Sequence, residues 1–188
     1  IKDRLYTEKA DSVARRAAQT TMYYILDALV KILTPMISFT AEEIWSAMNH
    51  TEKENVESPM LADYPVSNDE WDNKEIAEKW EKIIKVKNIV AKDLELARAE
   101  KTIGNSLDAK VTIYAEGEEY KFLKENEELI KLVLIVSGLE IQENNRKQEE
   151  KLGVKVEHAT GEKCERCWMY NDHIEDGLCP RCKEVLEK

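Results

Sequence analysis

The four cysteines of the chain lie in two Cys-x-x-Cys pairs near its C-terminal end. Cys164 and Cys167 form the first pair, and Cys179 and Cys182 form the second, after eleven intervening residues. Four cysteines can form two disulfide bonds in an oxidising compartment or bind one metal ion in a reducing one. The spacing favours a metal, because each pair can present two thiolates from one turn and four thiolates complete the shell of a structural Zn²⁺.

Two other chemistries fit this pattern less well. A thioredoxin-like redox site needs only one Cys-x-x-Cys pair, set in a strand and helix pattern. A catalytic zinc site keeps an open position for water or substrate, which four cysteine ligands would fill. His158 and His173 are close in sequence, but four sulfurs already complete the shell. We therefore predict one structural Zn²⁺ bound by the four cysteines and a reducing, cytoplasmic location.

Composition indicates a globular protein rich in helix-forming residues. Of 188 residues, 43% are hydrophobic and 35% are charged, with only 6 Gly and 4 Pro. No apolar run approaches the roughly 18 residues that cross a bilayer, so we expect no membrane partner. A formal net charge of -10 argues against a nonspecific nucleic-acid coat, because such binding depends on cations that neutralise phosphates. Any nucleic-acid contact must use local basic patches.

Hydrophobic periodicity predicts two long helices in the first half of the chain. The first is expected over residues 3–33 and the second over residues 73–101, with residues 51–73 as a loop that contains short ordered pieces. The apolar stripe of the first helix consists of Ala14, Ala18, Met22, Ile25, Leu29 and Ile32. The stripe of the second consists of Ile76, Trp80, Ile83, Val90, Leu94 and Ala97. We expect both stripes to face a core.

A shorter helix is predicted between these two. Thr40 is expected as its N-cap, with Glu43 three residues later to complete a capping box. Phe39 and Ile44 have the spacing of a hydrophobic staple around that cap. With Pro35 ending the first long helix, these signals predict a helical hairpin.

Residues 102–159 change character and predict a small α/β module. Residues 109–114 alternate with the period of a half-buried strand, and a helix is expected over residues 119–131. Residues 132–141 are expected to form a buried strand, and residues 153–159 another strand that leads to the cysteines. The strongly polar residues 142–151 suggest a mobile connection.

Four stretches in this order resemble one family. They are "KDRLY" in a helix, "LTPMISFTAEEIW" at the hairpin, "AEKTIGNSLDAKVTIY" at the start of the α/β module, and "GEKCERCW" with "LCPRC" at the end. The chain is similar to the C-terminal region of bacterial isoleucyl-tRNA synthetases, which are class I aminoacyl-tRNA synthetases. "SFTAEEIW" is shared with the valyl and leucyl enzymes, whereas the appended four-cysteine module is typical of the isoleucyl enzymes. Thr7 departs from this pattern, since the family often has a cysteine there.

The resemblance implies a mainly α architecture with three parts. These are a helical anticodon-binding domain at residues 1–101, a small α/β junction module at residues 102–159, and a zinc-binding module at residues 160–188. It also implies that isoleucine tRNA is the partner and that a whole enzyme, expected to be monomeric, joins isoleucine to its tRNA with ATP and hydrolyses mischarged valine. The chain lacks the nucleotide-binding motifs of the catalytic domain, so ATP would bind only there, and this region alone is expected to be inactive.

Several side chains are candidates for contact with RNA. Trp168 could stack on an unpaired base, or it could pack over the cysteines as a miniature core. Arg166 and Arg181 could contact phosphates and bases, or they could support the thiolates. Arg15, Arg16, Lys82 and Lys85 lie in stretches with a modest excess of basic residues, which is also typical of a solvated helix face.

Two other functions are compatible with the sequence. A DNA-repair glycosylase can end in a similar zinc finger, although that interpretation does not explain the helical hairpin or "TIGNSL". A protein-interaction module could use zinc only for structure and present its acidic surface to a basic partner. Salt dependence would separate the latter from RNA binding, which weakens with salt in step with the phosphates neutralised.

Overall fold

The computed structural model describes residues 1–51, 56–144 and 152–187. The chain is mainly helical, with small sheets, and divides into two compact units at residues 72 and 73. Within the described residues, no helix has both the length and the apolar character needed to cross a bilayer. Most of the polar tract that we expected to be mobile, residues 145–151, lies outside the described residues.

The first unit contains helices α1 (Lys2–Tyr6), α2 (Val13–Leu33) and α3 (Ser38–Ala47). The single helix predicted over residues 3–33 is therefore wrong, because the helix is interrupted between Tyr6 and Val13. Ser12 explains the restart, since its hydroxyl accepts a hydrogen bond from the amide of Arg15 at 3.2 Å and caps α2.

The core of this unit uses a different face of α2 from the one predicted. Val30 is buried with Ala41 and Trp45 of α3. The large members of the predicted stripe lie on the surface and are 44–55% exposed: Met22, Ile25, Leu29 and Ile32. Lys31 is instead buried, with its ammonium 2.8 Å from Asp27 and over the Trp45 ring. An ion pair and a cation–π contact allow this charged residue to take a core position.

The predicted start of α3 is also wrong. The helix begins at Ser38, two residues before Thr40, with Ile37 in the N-cap position and no capping side chain. Phe39 is 92% exposed, so no hydrophobic staple forms. The physical reason is the preceding turn, because the amide of Ile37 already donates to Leu33 and the amide of Ala41 to Ile37. Short 3₁₀ turns at Pro59–Leu61 and Asp69–Trp71 are the ordered pieces expected in the following loop.

The second unit begins with α4 (Lys74–Ala99), close to its predicted bounds. Asn73 caps this helix, since its side-chain oxygen accepts from the amide of Ile76 at 3.0 Å. Most of the predicted stripe is core, although Ile76 and Trp80 are exposed. The buried face of α4 consists of Ile83, Val86, Val90, Leu94 and Ala97.

The α4 helix packs on a three-stranded sheet made of β1 (Ala109–Ala115), β2 (Gly138–Glu143) and β3 (Gly153–His158). The order is β2-β1-β3, with β1 parallel to β2 and antiparallel to β3. Thus β1 is central, and both of its faces are largely buried, whereas we had predicted a half-buried strand. The strands predicted over residues 109–114 and 153–159 are confirmed.

Two helices connect β1 to β2, namely α5 (Gly117–Glu125) and α6 (Glu127–Leu134). The single helix predicted over residues 119–131 is wrong, and so is the first half of the strand predicted over residues 132–141. Apolar runs of this length fit either structure. Here the chain stays helical until Ile135, whose left-handed backbone (φ 57°) ends α6.

The cysteines lie in what we call the metal module, residues 160–187. It contains a two-stranded hairpin of β4 (Glu162–Lys163) and β5 (Tyr170–Asn171), followed by α7 (Pro180–Leu186). Its buried centre is formed by sulfur atoms with Ile174 and Leu178 packed against them. This module belongs to the same compact unit as the sheet.

Candidate metal centre and its surroundings

Two backbone turns present the cysteine pairs. In the first turn, the amide of Trp168 donates to the carbonyl of Cys164 at 2.9 Å, which brings Cys167 beside Cys164. In the second, Cys179 occupies the N-cap of α7 and Pro180 its first turn, where a missing amide hydrogen has no cost. The second pair is thus held across the start of a helix.

The four sulfur atoms converge. Every pair of Sγ atoms among Cys164, Cys167, Cys179 and Cys182 lies within 4.8 Å, and the Cys167 and Cys179 sulfurs are 3.7 Å apart. None of the four forms a disulfide bond. A tetrahedral ion with metal–sulfur bonds of about 2.3 Å would place its ligands about 3.8 Å apart. The arrangement therefore fits a single metal ion bound by four thiolates.

The sequence-predicted ligands are the residues that come together, and the nearby histidines are not among them. Of the described residues, only these four cysteines form a group of this kind. Nδ1 of His158 lies 2.8 Å from the carbonyl of Ala159, and its ring packs edge-on against Tyr170. His158 is thus part of the support beneath the hairpin.

Protonation of the thiols depends on burial and on hydrogen bonds to sulfur. Burial acts to raise the pKa of the Cys164 thiol, but amides such as that of Cys179, whose nitrogen is 3.3 Å away, lower it to about 6. Burial raises the pKa of Cys167 to about 12, and it also raises the pKa of Cys182. Four clustered thiols thus resist becoming four thiolates unless a cation balances their charge.

Glycines close the loops around the sulfurs. Gly177 has a φ of +78°, and its carbonyl accepts from the amide of Glu165 at 2.9 Å, which ties the second turn to the first. Gly161 has a φ of +83°, and a Cβ there would overlap the carbonyl oxygen of Asn171 on the facing strand. Only glycine fits the entrance of this hairpin.

Trp168 projects from the first turn and is 61% exposed. Its backbone is left-handed (φ 66°), a conformation that is uncommon for a bulky residue. Its indole N–H donates to the carbonyl of Glu165 at 3.1 Å, so the ring is oriented while much of its surface faces solvent. The buried centre of the module is formed by the cysteines, with Ile174 and Leu178 packed against them.

The cations near Trp168 differ in what they contact. Nζ of Lys163 lies 5.8 Å from the centre of the Trp168 ring, within the range of a cation–π contact. Sequence reasoning missed Lys163, and no local signal pairs it with a residue five positions later. Nη1 of Arg166 donates to the Cys182 sulfur at 3.5 Å, which is the thiolate-supporting contact weighed above. Arg181 is partly exposed in the first turn of α7.

The other predicted RNA contacts are distant in sequence from the cysteines and are divided between the two units. Arg15 donates to the carbonyl of Glu8 at 3.5 Å, and Arg16 is exposed. Lys82 and Lys85 are exposed on α4, and Nζ of Lys82 lies 5.3 Å from the Phe122 ring centre. The grooves beside these lysines also contain acidic side chains, which would weaken attraction to phosphate: Glu75, Glu78, Glu118, Glu119 and Glu125.

Known proteins resemble this chain along its whole length. The family model described as the anticodon-binding domain of tRNA ligase matches residues 1–113. The isoleucine–tRNA ligase of Caldicellulosiruptor saccharolyticus is 48% identical over 99% of this chain and 20% of its own length. That of Caldanaerobacter subterraneus subsp. tengcongensis is 45% identical over 100% of this chain and 22% of its own length.

A third relative, the isoleucine–tRNA ligase of Desulforamulus reducens, is 40% identical over 100% of this chain and 21% of its own length. The chain thus spans about a fifth of the curated relatives that it matches. The family model matches more than half of the chain, and the matched residues include the helical hairpin and the turn before β1. The chain belongs to the family of anticodon-binding domains of tRNA ligases.

Proposed function

We propose that this chain binds the anticodon arm of isoleucine tRNA as the C-terminal region of an isoleucine–tRNA ligase. The observation that carries the proposal is the family match over residues 1–113, joined to full-length similarity to isoleucine–tRNA ligases. The whole enzyme would be a cytoplasmic monomer that joins isoleucine to its tRNA with ATP and removes mischarged valine. A DNA-repair glycosylase is not favoured. The similarity to tRNA ligases extends over the helical hairpin, which a glycosylase assignment would leave unexplained.

The metal of the cysteine site would be Zn²⁺. Four thiolates in tetrahedral reach of one another are the ligand set typical of structural zinc, and all four positions of the ion would be filled by protein. Bound there, the ion would supply folding energy to a module that is too short to build a large apolar core. Cys164, Cys167, Cys179 and Cys182 would hold it, and the residues between them would present the surface.

Trp168 would contact an unpaired base of the anticodon loop. Its exposed ring and oriented indole support this role, since stacking on aromatic side chains is the common way in which proteins hold unpaired bases. Lys163 would add positive charge beside the stacked base, and Arg181 a phosphate contact. Arg166 would act mainly by holding the Cys182 thiolate. Arg15, Arg16, Lys82 and Lys85 would be weaker phosphate contacts.

The test is a binding titration of the zinc-loaded chain at one stated salt concentration. Isoleucine tRNA and the same tRNA with an exchanged anticodon are compared for the native chain and for Trp168→Ala. Loss of one stacked base weakens binding by about 1–3 kcal/mol. Trp71→Ala is the matched control, because Trp71 is 63% exposed but lies in the other unit.

Tighter binding to the native anticodon, weakened by Trp168→Ala and not by Trp71→Ala, is the expected result. Equal binding to both tRNAs in every variant would contradict anticodon recognition by this region. A salt titration addresses the protein-interaction alternative. For RNA, the logarithm of the binding constant falls linearly with the logarithm of salt concentration, in proportion to the phosphates neutralised.

A further inference from the structure

Ser137 joins three segments that are distant in sequence. It lies between α6 and β2, it is 9% exposed, and its amide donates to the carbonyl of Ala109 at 3.1 Å. Its hydroxyl donates to the carbonyl of Leu107, 30 residues earlier, at 2.5 Å. The same hydroxyl accepts from the amide of Tyr170, 33 residues later, at 2.7 Å. One oxygen atom thus connects the turn before β1, the start of β2 and the metal module.

The chemistry of this connection is specific to a hydroxyl. A serine oxygen donates one hydrogen bond and accepts others, so it can bridge a carbonyl and an amide at once. Alanine would leave both backbone groups without this partner in a partly buried position.

Two further contacts lie at the same junction. The amide of Ala159, where β3 ends, donates to the carbonyl of Asp108 at 2.7 Å. The rings of His158 and Tyr170 meet edge to face, with their centres 5.0 Å apart. These contacts hold the entrance of the metal module, whereas the Ser137 hydroxyl holds β5 from the side of the sheet. Together they set the angle at which the hairpin leaves the sheet.

We propose that Ser137 is a positioning residue that orients the metal module, and with it Trp168, for tRNA. Tyr170 is two residues from Trp168 and three from Cys167, so a bond to the Tyr170 amide acts directly on the turn that carries the exposed indole. The cysteine cluster sets the internal shape of the module, and Ser137 sets its orientation. This inference rests on the proposed function, because it assigns Ser137 to the same RNA-binding surface.

The experiment compares Ser137→Ala with Ser106→Ala in the zinc-loaded chain. Ser106 is a matched control, because it lies in the same unit and its hydroxyl accepts from Arg98 of α4, at 2.6 Å, rather than from the metal module. Three quantities are measured: the zinc content per chain, the exchange rates of the Tyr170 and Trp168 amides by NMR, and the affinity for isoleucine tRNA.

In Ser137→Ala, zinc content and Trp168 amide protection are expected to stay unchanged, since the Trp168 amide donates within the module to Cys164. The Tyr170 amide should exchange at least about tenfold faster, and tRNA affinity should fall about tenfold, the effect of one lost hydrogen bond of ordinary strength. Ser106→Ala should change none of these quantities.

Unchanged Tyr170 exchange in Ser137→Ala would overturn the proposal, as would faster exchange with a tRNA affinity equal to that of Ser106→Ala. If the native chain does not bind tRNA, the proposed function fails, while the exchange rates still decide whether Ser137 holds the module. If the alanine variant loses zinc or does not fold, Ser137→Cys replaces it, because a thiol keeps the shape but hydrogen-bonds weakly.

Discussion

Asn105 and Asp108 cap each other's backbone in the turn between α4 and β1. Oδ1 of Asn105 accepts from the amide of Leu107 at 2.8 Å, and Oδ2 of Asp108 accepts from the amides of Asn105 and Gly104 at 2.9 and 3.1 Å. The carbonyl of Asp108 also accepts from Ala159 at the end of β3. One reciprocal pair therefore fixes the end of a long helix, the first residue of the central strand and the approach to the metal module.

Replacement of Asp108 by alanine should destabilise the second unit. The change leaves the amides of Gly104 and Asn105 without their acceptor in a partly buried turn, which costs about 1–3 kcal/mol. Denaturant unfolding of the zinc-loaded chain measures the loss. Asp172→Ala is the control, because Asp172 is exposed in the same unit, and it should change the free energy of unfolding by less than about 0.5 kcal/mol. Equal stability of the two variants would contradict a structural role for the cap.

Local signals allowed much of this fold to be predicted. Asn73 marks the start of α4, "IGNSL" marks its end, and the cysteine spacing identifies the four converging sulfurs. In each case a few neighbouring residues determine the structure. The reciprocal pair at Asn105 and Asp108 was not predicted, because these types are common in any loop and only their placement three residues apart distinguishes a cap.

What could not be predicted depends on residues that are distant in sequence. Periodicity identified a stripe on α2, but α3 covers the neighbouring stripe that contains Val30, and Lys31 enters the core through Asp27 and Trp45. The apolar run after Lys131 suits a helix or a strand equally, and the register of β2 on β1 decides between them. The hydrogen bond between Ser137 and Tyr170 could not be predicted from local sequence, because the two residues are 33 positions apart.

Two adjacent residues of α2, one on the buried stripe and one on the exposed stripe, should differ in the stability lost on replacement by alanine. Val30→Ala should cost about 2 kcal/mol, because it removes two methyl groups from a side chain that is 3% exposed. Leu29→Ala should cost less than about 1 kcal/mol, because Leu29 is 47% exposed. Amide hydrogen exchange of residues 1–72 in the whole chain measures the free energy of unfolding of this unit. A larger loss of stability for Leu29→Ala than for Val30→Ala would mean that the stripe predicted from periodicity is the buried one.

Gly161 and Gly117 form a matched pair for testing the hairpin entrance. Both have left-handed backbones, with φ of +83° and +57°, so alanine at either costs about 1 kcal/mol in conformational strain. At Gly117 a Cβ meets nothing within 4 Å, whereas at Gly161 it would overlap the Asn171 carbonyl. Gly161→Ala should therefore open the β4–β5 hairpin and accelerate zinc loss to a competing chelator, while Gly117→Ala should lose zinc at the native rate. Equal rates would mean that the hairpin does not support the site.

Metal binding should release protons in a pattern set by the thiols. Cys167, with its pKa raised to about 12, and Cys182, with its pKa also raised, are neutral thiols in the metal-free chain at pH 7.5. Cys164, with its pKa lowered to about 6, is already a thiolate at that pH. Because only thiolates bind the ion, Cys167 and Cys182 release their protons on binding at pH 7.5, and Cys164 releases a further proton below pH 6. Apparent zinc affinity should thus fall as pH falls, and more steeply below pH 6.

Calorimetric titration in buffers of different ionisation enthalpy counts the protons released at each pH. A second variant, Arg166→Gln, removes the guanidinium that donates to the Cys182 sulfur. Loss of this hydrogen bond raises the pKa of Cys182 further, because the bond stabilises the thiolate. Zinc affinity at pH 7.5 should then decrease, while the number of protons released stays the same. Proton release that does not change between pH 7.5 and pH 5.5 would contradict the low pKa of Cys164, and unchanged zinc affinity in Arg166→Gln would contradict support of the Cys182 thiolate by that arginine.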